Sequence, residues 1–192
     1  MKGNEPMQDF NDAGEQRSFD VIPAGTIVLL SMTVRPGGAG ADNWLKKSKD
    51  GLSEGLDCEF VVLEGDYAKR KIWTLFTLGG TSQGHADAAA ISRAKLRAIL
   101  ESARGIRPDD KSEQAAQARR TSSFADFDGL RFLAKTGVEP ARNGFAAKNT
   151  LQEIITPEWR PIPQVPKQGD LHSSAINPGT SPVKIERPAW AR

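Results

Sequence analysis

The sequence predicts a mainly β domain with one long helix, in the order β-β-β-α-β-β, followed by an extended tail. Three observations carry that expectation. Between residues 26 and 78, β-branched and aromatic stretches alternate with polar side chains at the two-residue period of half-buried strands. Before Gly105, Leu96, Ile99, Leu100 and Ala103 repeat at the i, i+3, i+4, i+7 spacing of an amphipathic helix. The last 36 residues hold seven of the twelve prolines, and no apolar period survives among them. The element order is that of an OB-fold, a five-stranded barrel whose loops after the first and fourth strands commonly grip oligonucleotides.

Each element has its own signal. Thr26 to Arg35 is β-branched and uninterrupted, and Pro36-Gly-Gly-Ala-Gly40 ends it. A polar loop with Trp44, Lys46, Lys47 and Lys49 runs on to Gly55. The second strand, Leu56 to Leu63, sets Leu56, Cys58, Phe60 and Val62 against Asp57 and Glu59. Glu64-Gly-Asp-Tyr-Ala68 makes the turn, an acidic-Gly hairpin signal. The third strand, Lys69 to Leu78, places Ile72, Thr74, Phe76 and Leu78 inward and Lys71, Trp73 and Leu75 outward. The helix runs from His85 to Arg104, with Gly105 positioned for a left-handed cap. Ser112 to Arg120 reads as a second, short, exposed helix. Leu130 to Val138 alternates Phe132, Ala134 and Val138 against Arg131, Leu133 and Lys135, a fourth strand, and Asn149 to Ile155 is the fifth. The domain is thus expected over residues 19–156, between a polar arm at 1–18 and a disordered, Pro-rich tail at 157–192.

Composition narrows the function classes. Across 192 residues, 38% hydrophobic content and a mean hydropathy of −0.47 suffice for one core but not for the whole length. Lys and Arg number 26 against 24 acids, so the net charge of +2 makes no case for nucleic acid or membrane, and any electrostatic partner must be read from local distribution. A single cysteine, Cys58, excludes an intrachain disulfide framework and fits a reducing compartment. One Cys and two His leave no zinc site of thiolates and imidazoles. The longest apolar run, Ile27 to Leu30, is far too short for a bilayer, and the N-terminus lacks a secretory apolar region. The expectation is a soluble, cytoplasmic chain with no membrane partner.

The chemical signals favour binding over catalysis. Cations cluster in both long loops, Lys46, Lys47 and Lys49 in Pro36 to Gly55, and Arg142 and Lys148 in Glu139 to Lys148. Lys69-Arg70-Lys71 with Trp73, and Trp44 beside Lys46-Lys47, have the interleaving of cations and aromatic faces that single-strand binding needs. The plainer reading makes Trp73 partly buried and the lysines a solvated hairpin. Arg93, Arg97 and Arg104 form one helix stripe, read as a solvated face with Arg97 and Glu101 paired at i, i+4. Leu78-Gly-Gly-Thr-Ser-Gln-Gly84 lacks the spacing of a nucleotide-binding loop and reads as a flexible turn. Asp57 and Glu59 share a strand face, but no lysine follows at Val61 as a nuclease would need; Asp126 and Asp128 read as turn and capping residues. His85 falls in the first helical turn and His172 in the tail, while Cys58 belongs to the core rather than to a nucleophilic site. No catalytic residue, metal or cofactor is expected.

Several short motifs in order resemble one family. Asp9-Phe-Asn-Asp12, then Ser18-Phe-Asp-Val-Ile-Pro-Ala-Gly25 leading into a strand, is similar to the opening of the phage and prophage proteins known as domain of unknown function 669. Glu64-Gly-Asp-Tyr-Ala-Lys-Arg-Lys-Ile-Trp73 resembles that family's second hairpin, and Lys148-Asn149 through Ile154-Ile-Thr-Pro157 its last strand. The resemblance spans residues 9–157 and implies a single-strand-binding, OB-fold-like protein acting in phage replication or recombination, without catalytic residues. The ending Pro188-Ala-Trp-Ala-Arg192 departs from the acidic, Phe-terminated tip of typical single-strand-binding proteins. The expected partner is therefore single-stranded DNA or RNA. Lys46, Lys47, Lys49, Lys69, Arg70, Lys71, Arg142 and Lys148 would neutralise phosphates, and Trp44 and Trp73 would stack on bases. The alternative is an assembly protein whose tail docks a protein partner while the barrel serves as scaffold.

Overall fold

Leu56, Cys58, Phe60 and Val62 occupy every second position of one strand, and in the computed structural model all four are buried at 1% exposure or less. The structure describes residues 9–15 and 20–158. Within them lie β1 (Ile27–Arg35), β2 (Leu45–Lys47), β3 (Ser53–Val62), β4 (Lys71–Gly80), α1 (Gln83–Arg104), α2 (Glu113–Ala118), β5 (Arg131–Glu139) and β6 (Lys148–Ile155). A 3₁₀ turn covers Phe124–Phe127. The expected tail beyond residue 158, with His172, and most of the N-terminal arm fall outside the described residues.

All strand pairs are antiparallel, in one six-stranded sheet. β3 pairs along one edge with β4, and along the other first with β2 and then with β1. From β1 the ladder continues to β5 and then to β6. The inner face is lined by Leu30, Met32, Phe60, Ile72, Phe76, Phe132 and Leu151, with α1 contributing Leu96, Ile99 and Leu100. Phe60 meets Phe76 of β4 edge-on at 6.3 Å and Phe132 of β5 edge-on at 5.7 Å. β1 lies between β3 and β5, and strands two apart in a flat sheet stand about 9.6 Å from each other. The Phe60–Phe132 contact therefore needs the rings to lean together over a concave face.

That curl brings β4 and β6 towards each other, both running away from the same end. Among the described residues no ladder joins them, so the sheet is open along a seam. α1 closes one end of it. Lys95 donates to the Leu151 carbonyl (2.9 Å) and Ser102 to the Ile155 carbonyl (2.6 Å), while Arg93 donates to Leu78 on β4 (3.2 Å). The helix thus satisfies strand-edge carbonyls that would otherwise stay unpaired. Its start is fixed by a reciprocal cap, Ser82 Oγ accepting from the His85 amide and His85 Nδ1 from the Ser82 amide. Gly105 ends it in the left-handed conformation, at φ 66°.

At the seam's other end side chains tie down the chain preceding β1. Asn149 Oδ1 accepts from the Ile22 amide (2.9 Å) and its Nδ2 donates to the Ile22 carbonyl (2.8 Å). Asn149 supplies Ile22 with the two bonds a paired strand would give, and Ile22 is 1% exposed. Thr136, fully buried beside a register shift in β5, donates to the Pro23 carbonyl at 2.8 Å.

Three elements of the fold differ from the sequence reading. The expected five-stranded barrel is a six-stranded sheet with an open seam. The extra strand, β2, lies inside the Pro36 to Gly55 loop, for which no regular element is expected. Its single apolar residue, Leu45, is too short a pattern to read, yet it is 9% exposed and pairs across to Leu56. The second helix is not wholly exposed, because Ala115 is buried against its surroundings. The inward and outward faces of β3, β4 and the long helix follow the expected alternation.

Phe60→Ala should cost about 3–5 kcal/mol in urea unfolding, because it removes the ring that links β3, β4 and β5. Cys58 has no exposed surface and burial pushes its thiol up to about 12, so it should stay unreactive to a thiol reagent until the chain unfolds.

Candidate nucleic-acid interface

The outer face of β3 carries two carboxylates, and each is held by cations from neighbouring strands. Asp57 Oδ2 accepts from Arg35 on β1 (2.8 Å) and from Lys46 on β2 (3.1 Å). Burial pushes the Asp57 carboxyl up, but hydrogen bonds from Arg35 and Lys46 outweigh it and hold it below its ordinary value. Glu59 accepts from Lys71 at 2.7 Å through Oε1 and from Trp73 Nε1 at 3.0 Å through Oε2. The bond from Lys71 is the main reason that Glu59 also sits below the usual carboxylate range. Glu59 therefore fixes a cation and an aromatic edge at once. Trp73 remains 55% exposed, with its indole held by the edge rather than by the face.

Past Trp73, at the open end of the seam, the β3–β4 hairpin faces the start of β6. Lys69, Arg70, Lys71 and Trp73 from one side and Lys148 and Asn149 from the other line a depression of about 420 Å³. Lys69 stands at φ 69° in the turn, and Arg70 donates to the Asp20 carbonyl. Lys148 also lines a second depression of about 420 Å³ beside the β5–β6 loop, with Arg142 and Phe145. The two depressions share this lysine.

The loop itself is a tight hairpin. Arg142 and Phe145 exchange backbone bonds of 3.1 and 2.9 Å around Asn143 (φ 51°) and Gly144 (φ 79°). Two consecutive positive φ angles make the primed turn for which Asn-Gly is the preferred pair. Phe145 is thereby presented at the tip, 77% exposed. Glu139 sits behind, pairing with Lys148 (3.1 Å) and Arg142 (3.3 Å).

The ten expected binding residues consequently divide. Lys69, Arg70, Lys71, Trp73, Arg142 and Lys148 gather around these two depressions. Trp44, Lys46, Lys47 and Lys49 lie towards the other end of β3, where Lys46 pairs with Gly55 while Lys71 pairs with Val61, six residues or about 20 Å along the strand. The two long loops do not share an end, because β1 and β5 are antiparallel and each loop follows the C-terminus of its strand. Trp44 is half-buried and packs against the core. Lys46 is engaged by Asp57, while Lys47 and Lys49 are exposed.

Phe145 is absent from the residues that the sequence pattern singles out. The Asn143-Gly144 pair between Arg142 and Phe145 is the signal that could have found it, since such a dipeptide aims its flanking residues out of a hairpin tip. The helix stripe is exposed as expected, with Arg97 and Glu101 paired at i, i+4. Arg93, Arg97 and Arg104 each bond to a backbone carbonyl, and Glu101, the partner of Arg97, is 3% exposed. Asp126 and Asp128 are structural, as expected, accepting from the amides of Ser122 and Val34. Among the described residues no cluster of three His, Cys, Asp or Glu is placed to hold a metal ion. No helix of the described residues is long and apolar enough to cross a membrane. Comparison with protein-family models and with curated proteins returns no match.

Because Glu59 titrates lower in the folded chain than its ordinary value near 4.3, its pairs stabilise the fold above about that pH and lose their effect as pH falls through the lowered value. The stability difference between wild type and Glu59→Gln, measured by urea titration from pH 7 downwards, should therefore shrink in acid. A difference independent of pH would show that the pairs contribute nothing.

Proposed function

We propose that the open end of the seam binds single-stranded nucleic acid without catalysing a reaction. The observation that carries this reading is the convergence of Lys69, Arg70, Lys71, Lys148 and Arg142 on two depressions that share Lys148, with Trp73 in one and Phe145 in the other. Cations tracking a groove with aromatic faces beside it are what a sequence-tolerant single-strand site requires. The ion pairs already present do not oppose it. Lys71, Lys148 and Arg142 have side chains 48%, 67% and 73% exposed, and exposed pairs are worth only about 0–1 kcal/mol. A phosphate displaces such carboxylates at small cost, and Glu59 keeps hold of the Trp73 edge.

The sheet supports an OB-fold-like reading of the domain. Leaving β2 aside, the pairing order third, second, first, fourth, fifth is that of such a barrel, with a helix between the third and fourth strands. The resemblance to domain of unknown function 669 would place the protein in phage replication or recombination in the cytoplasm. The assembly alternative has an observation of its own, the exposed Ile27 and Leu133 on the outer face of β1 and β5. The tail that would dock a partner lies outside the described residues.

Titration of labelled oligo-dT at several salt concentrations tests the reading. Log K should fall linearly with log salt, and Lys69→Ala with Lys148→Ala should make the slope shallower by up to about 1.4, at about 0.7 for each phosphate no longer neutralised. Phe145→Ala and Trp73→Ala should each weaken binding by about 1–3 kcal/mol with little change in slope. Lys47→Ala, at the far end, should leave binding nearly unchanged. Folded wild type that fails to bind at low salt would sink the reading and leave assembly standing.

A further inference from the structure

Apart from that interface, α1 and the end of the β3–β4 hairpin border an open pocket of about 440 Å³ that no part of the proposed binding uses. Its wall is apolar. Leu45, Leu78, Leu96 and Leu100 are each 4–9% exposed, and Phe124 of the 3₁₀ turn completes the lining. Three arginines, Arg93, Arg97 and Arg119, also line the pocket.

The arginines are held by the fold at defined positions. Arg119 donates to Glu101 Oε1 (2.7 Å) and to the carbonyls of Asp110 (2.8 Å) and Arg107 (2.9 Å), and its side chain is only 16% exposed. Arg97 donates to the same Glu101 oxygen (2.8 Å) and to the Pro108 carbonyl (3.1 Å). Arg93 makes one bond, to the Leu78 carbonyl, and its remaining N–H groups have no partner among the described residues. Against the three guanidiniums stand two carboxylates, Glu101 beneath and Glu54 on the lining. One positive charge is in excess.

The geometry points to a binding site for a monocarboxylate carried on an apolar body. A pocket of this size with a few convergent polar groups suits a small ligand. One surplus cation matches one carboxylate, and the fork of Arg93 suits its two oxygens. A dianionic phosphomonoester would leave surplus negative charge beside Glu54 and Glu101. The apolar wall takes the remainder of the ligand out of water. The site is independent of the nucleic-acid reading, since it shares no residue with the two depressions.

The test uses the full chain with Leu methyl groups observed by NMR. Octanoate represents a free acid, and acetyl-leucyl-leucine the C-terminus of a polypeptide. Each is compared with its neutral counterpart, octan-1-ol or the peptide amide. Either carboxylate should shift the methyl signals of Leu45, Leu78, Leu96 and Leu100, and the tighter of the two identifies the source. Hexanoate should bind up to about fifteenfold more weakly than octanoate, at about fourfold per methylene. Arg93→Ala should weaken binding about tenfold. Glu54→Gln should tighten it, a gain that misfolding cannot imitate. Neutral counterparts that bind as tightly as the carboxylates, indifference to both substitutions, or no shift with either carboxylate would overturn the site.

Discussion

The contact on which the molecule depends is that of Phe60 with rings from both sides of it in the sheet. Phe76 comes from the adjacent strand, but Phe132 comes from two strands away, across β1. An edge-to-face pair at 5.7 Å between strands so placed requires a concave inner face. Curvature then has consequences at the margins. It turns β4 and β6 towards one another, and α1, bonded to Leu78 of β4 and to Leu151 and Ile155 of β6, seals one end of the gap. The sealed end supplies the floor of the core. The open end is where the basic hairpin and the start of β6 face each other.

Charge is organised on the same plan. The chain is nearly neutral, yet its cations are not spread evenly over the surface. Along the outer face of β3, Asp57 and Glu59 anchor Arg35, Lys46 and Lys71, so those charges are locally compensated. Towards the seam the compensation thins, with Glu139 alone set against Arg142 and Lys148. Glu59 has a further effect, because its second oxygen holds the Trp73 indole by its N–H. A carboxylate in the middle of a basic face is then a positioning group rather than an obstacle. Glu101 illustrates the opposite case. Buried between two guanidiniums, it ties α1 to the segment through Pro108 and Asp110, and removing one partner would leave a buried charge uncompensated.

Much of this was legible from residue pattern alone. Alternation assigned the faces of β3 and β4, including the outward Trp73, and the i, i+3, i+4, i+7 spacing located the helix to within two residues of its start. These are local properties, since each backbone geometry imposes its own period on which side chains meet the core. Gly105 and the Asn143-Gly144 pair are equally local, because a positive φ restricts which residue types fit. Phe145 was within reach of the same reasoning, through the turn that presents it.

What alternation leaves open is which distant strands share an edge and how far a sheet bends. β2 is a strand only because β3 extends beyond the end of β1 and offers it three residues of free edge. The separation of the two long loops to opposite ends follows from β1 pairing antiparallel to β5, a choice no segment makes by itself. The meeting of Lys69–Lys71 with Lys148, and of Arg93 and Arg97 with Arg119, joins residues far apart in the chain through curvature and helix docking. The sequence by itself determined the elements, their buried faces and their turns, because those depend on near neighbours. Only the tertiary structure decided which charges stand together, because that depends on the bend of the whole sheet.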